Sequence, residues 1–214
     1  MYQGGSGVLC SATAQFPLRD ASWGLDFEGE VCVIVGDVPE GISSAEAGSY
    51  VRLLMLANDW TYRNLIPEEQ AKGFGFLNSK PATAFSPFAV TPAELGTAWQ
   101  HGRLNLPLRC QLNKTLIGTA NAADGMHFSF FDLIAHAAKT RSLTAGTIIG
   151  SGTVSNLDAA RGVSCLAEKR ARELLLEGQP KTPYLIASDR VRIEMLDAQG
   201  WNIFGSIDQQ VVER

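Results

Sequence analysis

The chain has 214 residues and a formal net charge of -4, and its 45% hydrophobic and 19% charged content suits one globular domain with a sizeable core. The sequence contains no dense lysine or arginine cluster, which argues against nucleic acid or an anionic membrane surface as a partner. Its four cysteines form no Cys-x-x-Cys pair and no apolar run is long enough to span a membrane, so we expect a cytoplasmic protein without disulfides or a zinc site.

The beginning of the chain has no sustained hydrophobic period. Residues 1–24 contain several glycines and serines and are predicted to form loop. We interpret them as the loop-like remnant of an N-terminal region, because this start is typical of the interior of a longer protein. Residues 25–214 are then predicted to be the main domain.

The first strong element is the apolar, largely β-branched run at residues 31–35, which predicts a strand buried on both faces. Asp26, Glu28 and Glu30 precede it at alternate positions, and side chains two apart on a strand point the same way. At about 4 Å and an effective dielectric near 20, each like-charge pair would cost roughly 4 kcal/mol. A hard divalent cation would reverse that sign, whereas the alternative is an acidic strand end in water.

Capping, periodicity and turn residues define the remaining elements. A capping box at Ser43 and Glu46 predicts a helix to about residue 57, with residues 58–60 at its end or in a following strand. Residues 62–79 have no clear period and are predicted to be a mobile connection. The sequence then predicts an extended segment at 80–85, a helical turn at 91–96, a hairpin at 104–120 that turns at 113–114, helices at 130–140 and 164–177, a strand at 147–150 and a terminal hairpin of 191–196 with 201–205. Strands dominate without regular βαβ alternation, which indicates a mixed, largely antiparallel α+β domain.

A carboxylate site is the chemical feature that the spacing favours most. Asp59 could bring a third acid toward those at the strand start, or it could cap a helix end. Lys80 and Arg63 are candidate site cations, and the alternative for each is a solvated surface residue. The turn at 151–153 could present N–H groups and a hydroxyl to an anion, or it could be a plain turn. Surface or packing positions are predicted for the three histidines, His101, His127 and His136.

Four motifs in order carry a resemblance to a known family. They lie at residues 26–30, 58–64, 79–87 and 145–155. In their order and spacing the chain resembles the C-terminal catalytic domain of the fumarylacetoacetate hydrolase family, apparently without the N-terminal portion. The resemblance implies a mixed, mainly antiparallel β-roll or sandwich with peripheral helices, usually assembled as a homodimer.

The resemblance also implies a site for Mg²⁺, or for Mn²⁺ or Ca²⁺. By motif position it assigns metal binding to Glu28, Glu30 and Asp59, catalysis to Lys80 and Glu168, and substrate binding to Trp60, Arg63, Gly152 and Thr153. Lysine would stabilise an enolate-like oxygen, and Glu168 would stand where the family has a water-activating glutamate. An ordinary exposed helix acid is the alternative for Glu168.

The implied activity is hydrolytic cleavage of a C–C bond in small 1,3-diketo acids of the fumarylacetoacetate or acylpyruvate type, through an enolate held by the metal. Two departures keep alternatives open. The chain has no histidine before His101, although the hydrolase proper pairs an upstream histidine with its glutamate, and Ile66 stands where that enzyme has a glutamine. Decarboxylation of a 3-oxo acid, isomerisation or hydration of a 2-oxo acid, and a catalytically silent dimerising fragment therefore remain alternatives.

Overall fold

Two β-sheets pack face to face in the computed structural model, which describes residues 1–5 and 7–214. Ser6, part of the predicted loop at residues 1–24, lies outside the described residues. In chain order the described strands are β1 (Leu9–Cys10), β2 (Phe16–Leu18), β3 (Leu25–Asp26), β4 (Gly29–Val35), β5 (Val51–Tyr62), β6 (Ala82–Phe85), β7 (Trp99–Gln100), β8 (Arg103–Leu104), β9 (Pro107–Leu112), β10 (Thr115–Asn121), β11 (Ile148–Gly150), β12 (Arg190–Met195) and β13 (Ile207–Glu213).

Short helices connect these strands. They are α1 (Ser44–Ala47), α2 (Ile66–Lys72), α3 (Pro92–Leu95), α4 (Phe130–Ala137) and α5 (Leu166–Glu177), with 3₁₀ turns at Ala21–Trp23, Gly48–Tyr50, Arg63–Leu65, Gly96–Ala98 and Ala159–Arg161. None of the helices in the described ranges is long and apolar enough to cross a membrane. The mixed α+β class predicted from the sequence is confirmed.

The first sheet, in the order β1-β6-β5-β4-β11 with β3 beside β5, carries the acidic motif. The second sheet has the order β10-β9-β12-β13-β2. Only the β1–β6 and β2–β13 pairs are parallel among the named strand pairs in the described part of the chain. Both parallel pairs involve residues 1–24, so the prediction that this stretch is loop is wrong: it adds one strand to each sheet.

The long strand β5 fixes which side chains enter the core. Leu54, Leu56 and Trp60 are fully buried in the core between the sheets, and the intervening residues point to the opposite face because side chains alternate along a strand. On that opposite face Met55 packs with Cys32 of β4 in a separate small apolar cluster. One face of β5 therefore builds the core, and the other is available to a site.

The predicted helix from residue 43 to 57 is wrong beyond its first turn. The capping box of Ser43 and Glu46 is present, but α1 ends at Ala47 and β5 begins at Val51. The leucines and methionine at 53–56 are good helix formers, and their local preference is overridden because β5 pairs with β4 on one side and β6 on the other.

Two further segments differ from prediction. Residues 62–79 contain α2, and the Glu69 side chain of α2 accepts hydrogen bonds from the backbone N–H groups of Leu77, Asn78 and Ser79, which connects residues 77–79 to the helix. The main partner of β12 is β13 (Ile207–Glu213), and the predicted pairing with residues 201–205 is limited to an antiparallel bridge between Leu196 and Asn202 just after β12.

The other predicted elements agree with the structure. The hairpin of β9 and β10 turns at Asn113 and Lys114, both with positive φ, as a tight two-residue hairpin turn requires. Helices α4 and α5 and strand β11 lie within the predicted ranges. Cys32 is buried as predicted, and all four cysteines are free.

Candidate metal and active site

Three carboxylates meet on the outer face of the first sheet. Among the described residues, Glu28, Glu30 and Asp59 form the one group of acids, histidines or cysteines whose ligand atoms all lie within 4.8 Å of one another. The antiparallel register of β4 with β5 pairs Glu30 with Ala57, two residues before Asp59 on the same face, and the Asp59 N–H donates to the Glu28 carbonyl at 3.0 Å. Two distant segments therefore converge as the sequence predicts.

This trio fits a hard divalent cation. The three residues are only 6–8% exposed and offer carboxylate oxygens, the ligands that Mg²⁺, Mn²⁺ and Ca²⁺ prefer. Gly150 of the neighbouring β11 makes room for the site, because a methyl group there would lie 2.5 Å from Oε2 of Glu30. The space at Gly150 is therefore part of the carboxylate arrangement.

Positive charge is distributed unevenly over the trio. Glu28 has ion pairs with Lys80 and with Arg63, whose Nη1 lies 2.8 Å from Oε1. Burial alone would raise the pKa of Glu28, but these two cations outweigh burial and lower it. Glu30 has no such ion pair among the described residues, and its carboxylate accepts only the Gly152 N–H, at 3.1 Å. Burial, reinforced by Asp59 and Glu28, raises the pKa of Glu30 to about 8.

Lys80 lies beside the carboxylates as the sequence suggests. Its side chain is 7% exposed, and Nζ donates to Glu28, to Asp59 Oδ2 at 2.9 Å and to Thr61 Oγ1 at 2.8 Å. Burial would lower the pKa of Lys80, whereas the attraction of Glu28 and Asp59 raises it above its ordinary value. The alternative of a solvated surface lysine is wrong.

Arg63 is also part of this charged cluster. Its Nε donates to Asp26 Oδ2 at 2.8 Å while Nη1 pairs with Glu28, and its Nη2 is buried without a hydrogen-bond partner in the described ranges. Asp26 shares Arg63 with Glu28 but is not a member of the trio. The alternative of a solvated loop cation is therefore wrong, and contact between Arg63 and a substrate stays a prediction.

Tyr2 is a site residue that sequence reasoning missed. Its hydroxyl donates to Asp59 Oδ2 at 2.5 Å, and its ring lies 5.3 Å from Lys80 Nζ and 5.7 Å from the ring of Phe76. Burial and the Asp59 carboxylate raise the pKa of Tyr2 above its ordinary value. No local pattern links a tyrosine at the start of the chain to an acid on β5, so only the fold places it here.

A cavity of about 530 Å³ opens beside Lys80. Four aromatic residues contribute to its wall, namely Tyr2, Trp23, Tyr62 and Phe76. Arg19 lines the same cavity and has no carboxylate within salt-bridge distance in the described part of the chain. The cavity thus suits an apolar or unsaturated group that carries negative charge.

The predicted role of Trp60 in substrate binding is wrong. Trp60 has no exposed surface, its ring stacks against Phe16 at 4.5 Å, and its Nε1 donates to Gln209 in the core between the sheets. Because Trp60 directly follows Asp59 on a strand, its side chain points to the opposite face.

Of the remaining predicted site residues, Gly152 hydrogen-bonds to the trio, whereas Thr153 and Glu168 form no hydrogen bond with it in the described residues. Gly152 contributes its N–H to Glu30, whereas Thr153 has no side-chain hydrogen bond in the described ranges and its predicted role is untested. Glu168 lies in the first turn of α5, where its Oε1 accepts from Ser155 Oγ at 2.8 Å and Arg172 Nη2 at 2.5 Å. Those bonds hold Glu168 in an ion pair outside the trio, and its catalytic role stays a prediction.

The chain matches the model of the family described as fumarylacetoacetate (FAA) hydrolase C-terminal over residues 1–212. Oxaloacetate tautomerase YisK of Bacillus subtilis is 31% identical over 133 residues, covering 62% of this chain and 42% of its own. The chain spans about half the length of the curated relatives it matches.

Solved structures share the fold over nearly the whole chain. A fumarylacetoacetate hydrolase from Exiguobacterium antarcticum matches with a TM-score of 0.69 at 18% identity, covering 100% of this chain and 66% of its own. A 2-hydroxyhepta-2,4-diene-1,7-dioate isomerase from Mycobacterium marinum has the same TM-score of 0.69 at 16% identity, covering 100% of this chain and 68% of its own. The chain belongs to the fumarylacetoacetate hydrolase family, which includes hydrolases, isomerases and tautomerases.

Proposed function

We propose that this chain enolises small 2-oxo acids at a divalent-cation site made by Glu28, Glu30 and Asp59. The proposal rests on one observation: three buried carboxylates lie together, and the buried Lys80 contacts only two of them, Glu28 and Asp59. When bound, Mg²⁺, Mn²⁺ or Ca²⁺ would supply Lewis-acid polarisation of the substrate oxygens. The residues of the chain would hold the cation, place a positive charge beside the substrate oxygen and line the cavity, and the carbon-bound proton would leave to solvent water.

Lys80 is the residue that we assign to enolate stabilisation. An ammonium group has three donors, and Lys80 now directs them at Glu28, Asp59 and Thr61. Glu28 and Asp59 would hold the cation together with Glu30, and the ammonium of Lys80 would then have donors available for a substrate oxygen. A fixed positive charge beside an oxygen that becomes negative accelerates such steps by about 100-fold or more.

The cavity beside Lys80 would hold the rest of the substrate. Its four aromatic side chains suit an unsaturated carbon chain, and the guanidinium of Arg19, which has no ion pair among the described residues, suits a second carboxylate. A fold relative from Mycobacterium marinum is named for a diene dioate, which has both features. The proposed substrates are therefore 2-oxo acids with a short unsaturated or carboxylated tail.

Keto–enol tautomerisation is the activity that the described residues support best, and the similarity to oxaloacetate tautomerase YisK favours it. The second candidate is hydrolytic C–C cleavage of 1,3-diketo acids, favoured by the description of the matching family model. Cleavage requires a base that activates water. Glu168 would be that base, and it would first have to exchange Ser155 and Arg172 for a water molecule.

Both candidate activities require a cation site and stabilisation of an enolate. We test these two requirements by titrating the protein with Mn²⁺ and then following absorbance with oxaloacetate and with an acylpyruvate as substrates. Lys80→Met should keep Mn²⁺ binding and lower kcat by about 100-fold or more on whichever substrate turns over. Lys72→Met is the matched control, because Lys72 is an exposed residue paired with Glu68 on α2. Absence of Mn²⁺ binding, or wild-type kcat in Lys80→Met, would rule out the proposal.

Glu168→Gln separates the two candidate activities. If the chain hydrolyses acylpyruvates, the variant should lose cleavage, because a neutral amide cannot take a proton from water. If the chain is a tautomerase only, wild type and variant should convert oxaloacetate equally and neither should cleave acylpyruvates.

A further inference from the structure

Asp26 is the acid of the strand-start motif that the cation site leaves out, and it is completely buried. Its carboxylate accepts four hydrogen bonds, from the backbone N–H groups of Phe27 at 2.9 Å, Leu166 at 2.7 Å and Ala167 at 2.9 Å, and from Arg63 Nε at 2.8 Å. A buried carboxylate with this many donors is held rigidly in one position.

Arg63 connects Asp26 to the cation site. Its Nε donates to Asp26 Oδ2 and its Nη1 lies 2.8 Å from Glu28 Oε1, so the two carboxylates share one positive charge. Two of the other donors to Asp26 come from the first turn of α5, where helix N–H groups and the helix dipole favour an anion.

We infer that Asp26 is a positioning residue that sets how much of the Arg63 charge reaches Glu28, and thereby sets the affinity of the cation site. While Asp26 is anionic, Arg63 is largely neutralised and Glu28 remains available as a ligand. Without that anion, Arg63 presents an uncompensated positive charge to Glu28 and opposes a divalent cation. This inference rests on the proposed cation site.

Mn²⁺ titration followed by electron paramagnetic resonance tests the inference in the whole chain. Asp26→Asn keeps the shape of the side chain, and it should weaken Mn²⁺ binding by about tenfold or more, as loss of partners around metal ligands does elsewhere. Arg63→Gln should bind Mn²⁺ at least as tightly as wild type. The double variant should return to within about threefold of Arg63→Gln, because the opposing charge is gone.

Ala167→Pro is a second variant that removes a donor to Asp26 without changing any charge. Proline is tolerated in the first turn of a helix, so this variant should lower Tm and leave Mn²⁺ affinity within about twofold of wild type. A structural role alone predicts the opposite pattern: Asp26→Asn would lower Tm with unchanged affinity, or Ala167→Pro would weaken binding as much as Asp26→Asn. Either result would overturn the inference.

The two proposals fail in distinguishable ways. Wild-type protein that binds no Mn²⁺ would overturn the cation site and this inference together. Wild-type binding with equal affinity in Asp26→Asn would overturn only the role of Asp26. If Arg63→Gln does not fold, the comparison of Asp26→Asn with Ala167→Pro decides the question alone.

Discussion

The two sheets each carry a cluster of charged side chains, and the clusters differ in how their charges are balanced. On the second sheet, arginines and acids alternate across neighbouring strands: Arg192 pairs with Asp208, and Glu194 lies opposite Arg109. Three arginines serve two acids there, and the arginine side chains are 32–53% exposed. Such cross-strand pairs stabilise a sheet surface.

On the first sheet the balance is reversed. Lys80 and Arg63 pair with three buried acids, whereas the fourth, Glu30, has no ion pair among the described residues and lies opposite the uncharged Ala57. Burial makes this deficit expensive, because a charge in a low-dielectric environment is stabilised only by its direct partners. Both clusters use the same residue types, so we expect a cation site to differ from a surface ion-pair cluster in having buried acids with too few cations to pair with them.

Replacing Glu30, the acid that has no cationic partner among the described residues, should have the largest effect on Mn²⁺ binding. Glu30→Gln deletes one of the three proposed ligands and one of the two negative charges that Lys80 and Arg63 do not balance, so Mn²⁺ affinity should fall by at least about 100-fold, more than for typical changes around a ligand. Isothermal titration calorimetry measures the change. Mn²⁺ affinity equal to that of wild type would show that Glu30 is not a ligand.

The free energy of unfolding should also depend on pH, because the buried Glu30 carboxylate has no cationic partner in the part of the chain that the structure describes. In metal-free protein the folded state keeps the Glu30 proton up to about pH 8, whereas the unfolded chain loses it near the ordinary value of 4.5. Between those values the unfolded state binds fewer protons, so the free energy of unfolding should fall by about 1.4 kcal/mol per pH unit because of Glu30. Urea denaturation at pH 6 and 7 measures this difference.

The matched comparison for this pH effect is Glu30→Gln, which should lack that slope. The second sheet provides the contrast, since Asp208 has a lowered pKa through Arg190 and its stabilisation is lost only as pH falls. Parallel slopes in wild type and Glu30→Gln between pH 6 and 7 would contradict the assignment of the deficit to Glu30.

Much of this candidate site could be predicted from sequence, because Glu28 and Glu30 follow a period of two at the start of a β-branched strand. Glu28, Glu30, Asp59 and Lys80 come together as expected. The resemblance assigns Trp60 to substrate binding by motif position alone, whereas on β5 Trp60 and Asp59 point to opposite faces of the sheet and only Asp59 faces the site.

Other parts of the site depend on long-range packing that no local pattern encodes. Tyr2 reaches Asp59 across 57 residues of sequence, and Gly150 approaches Glu30 only because β11 pairs with β4. Asp26 has the same alternate spacing as the candidate ligands, yet its carboxylate accepts hydrogen bonds from the first N–H groups of α5 and does not join the trio. Spacing alone cannot distinguish a ligand from its support.

Gly150→Ala should have an intermediate effect. The backbone at Gly150 does not require glycine, but the added methyl would lie 2.5 Å from Glu30 Oε2 and would displace that carboxylate. Mn²⁺ affinity should fall by about tenfold with little loss of stability. Gly146→Ala is not a suitable control because its φ is +91°, so Ala145→Gly in the same connection serves instead. Unchanged affinity in Gly150→Ala would mean that the Glu30 carboxylate can shift without loss of the cation.

Glu194→Gln should have the smallest effect on cation binding, since it changes only the second cluster. Glu194 is 7% exposed, as buried as Glu30, and it accepts hydrogen bonds from Arg192, Asn202 and Ser206. Its replacement leaves Arg109 and Arg192 with less negative charge, so the free energy of unfolding should fall by about 1 kcal/mol. Mn²⁺ affinity should stay within about twofold of wild type, because the second cluster has no shortage of cations for a divalent ion to relieve. If calorimetry instead shows equal losses of Mn²⁺ affinity in Glu194→Gln and Glu30→Gln, charge balance does not distinguish the two clusters, and burial of an acid alone would account for binding.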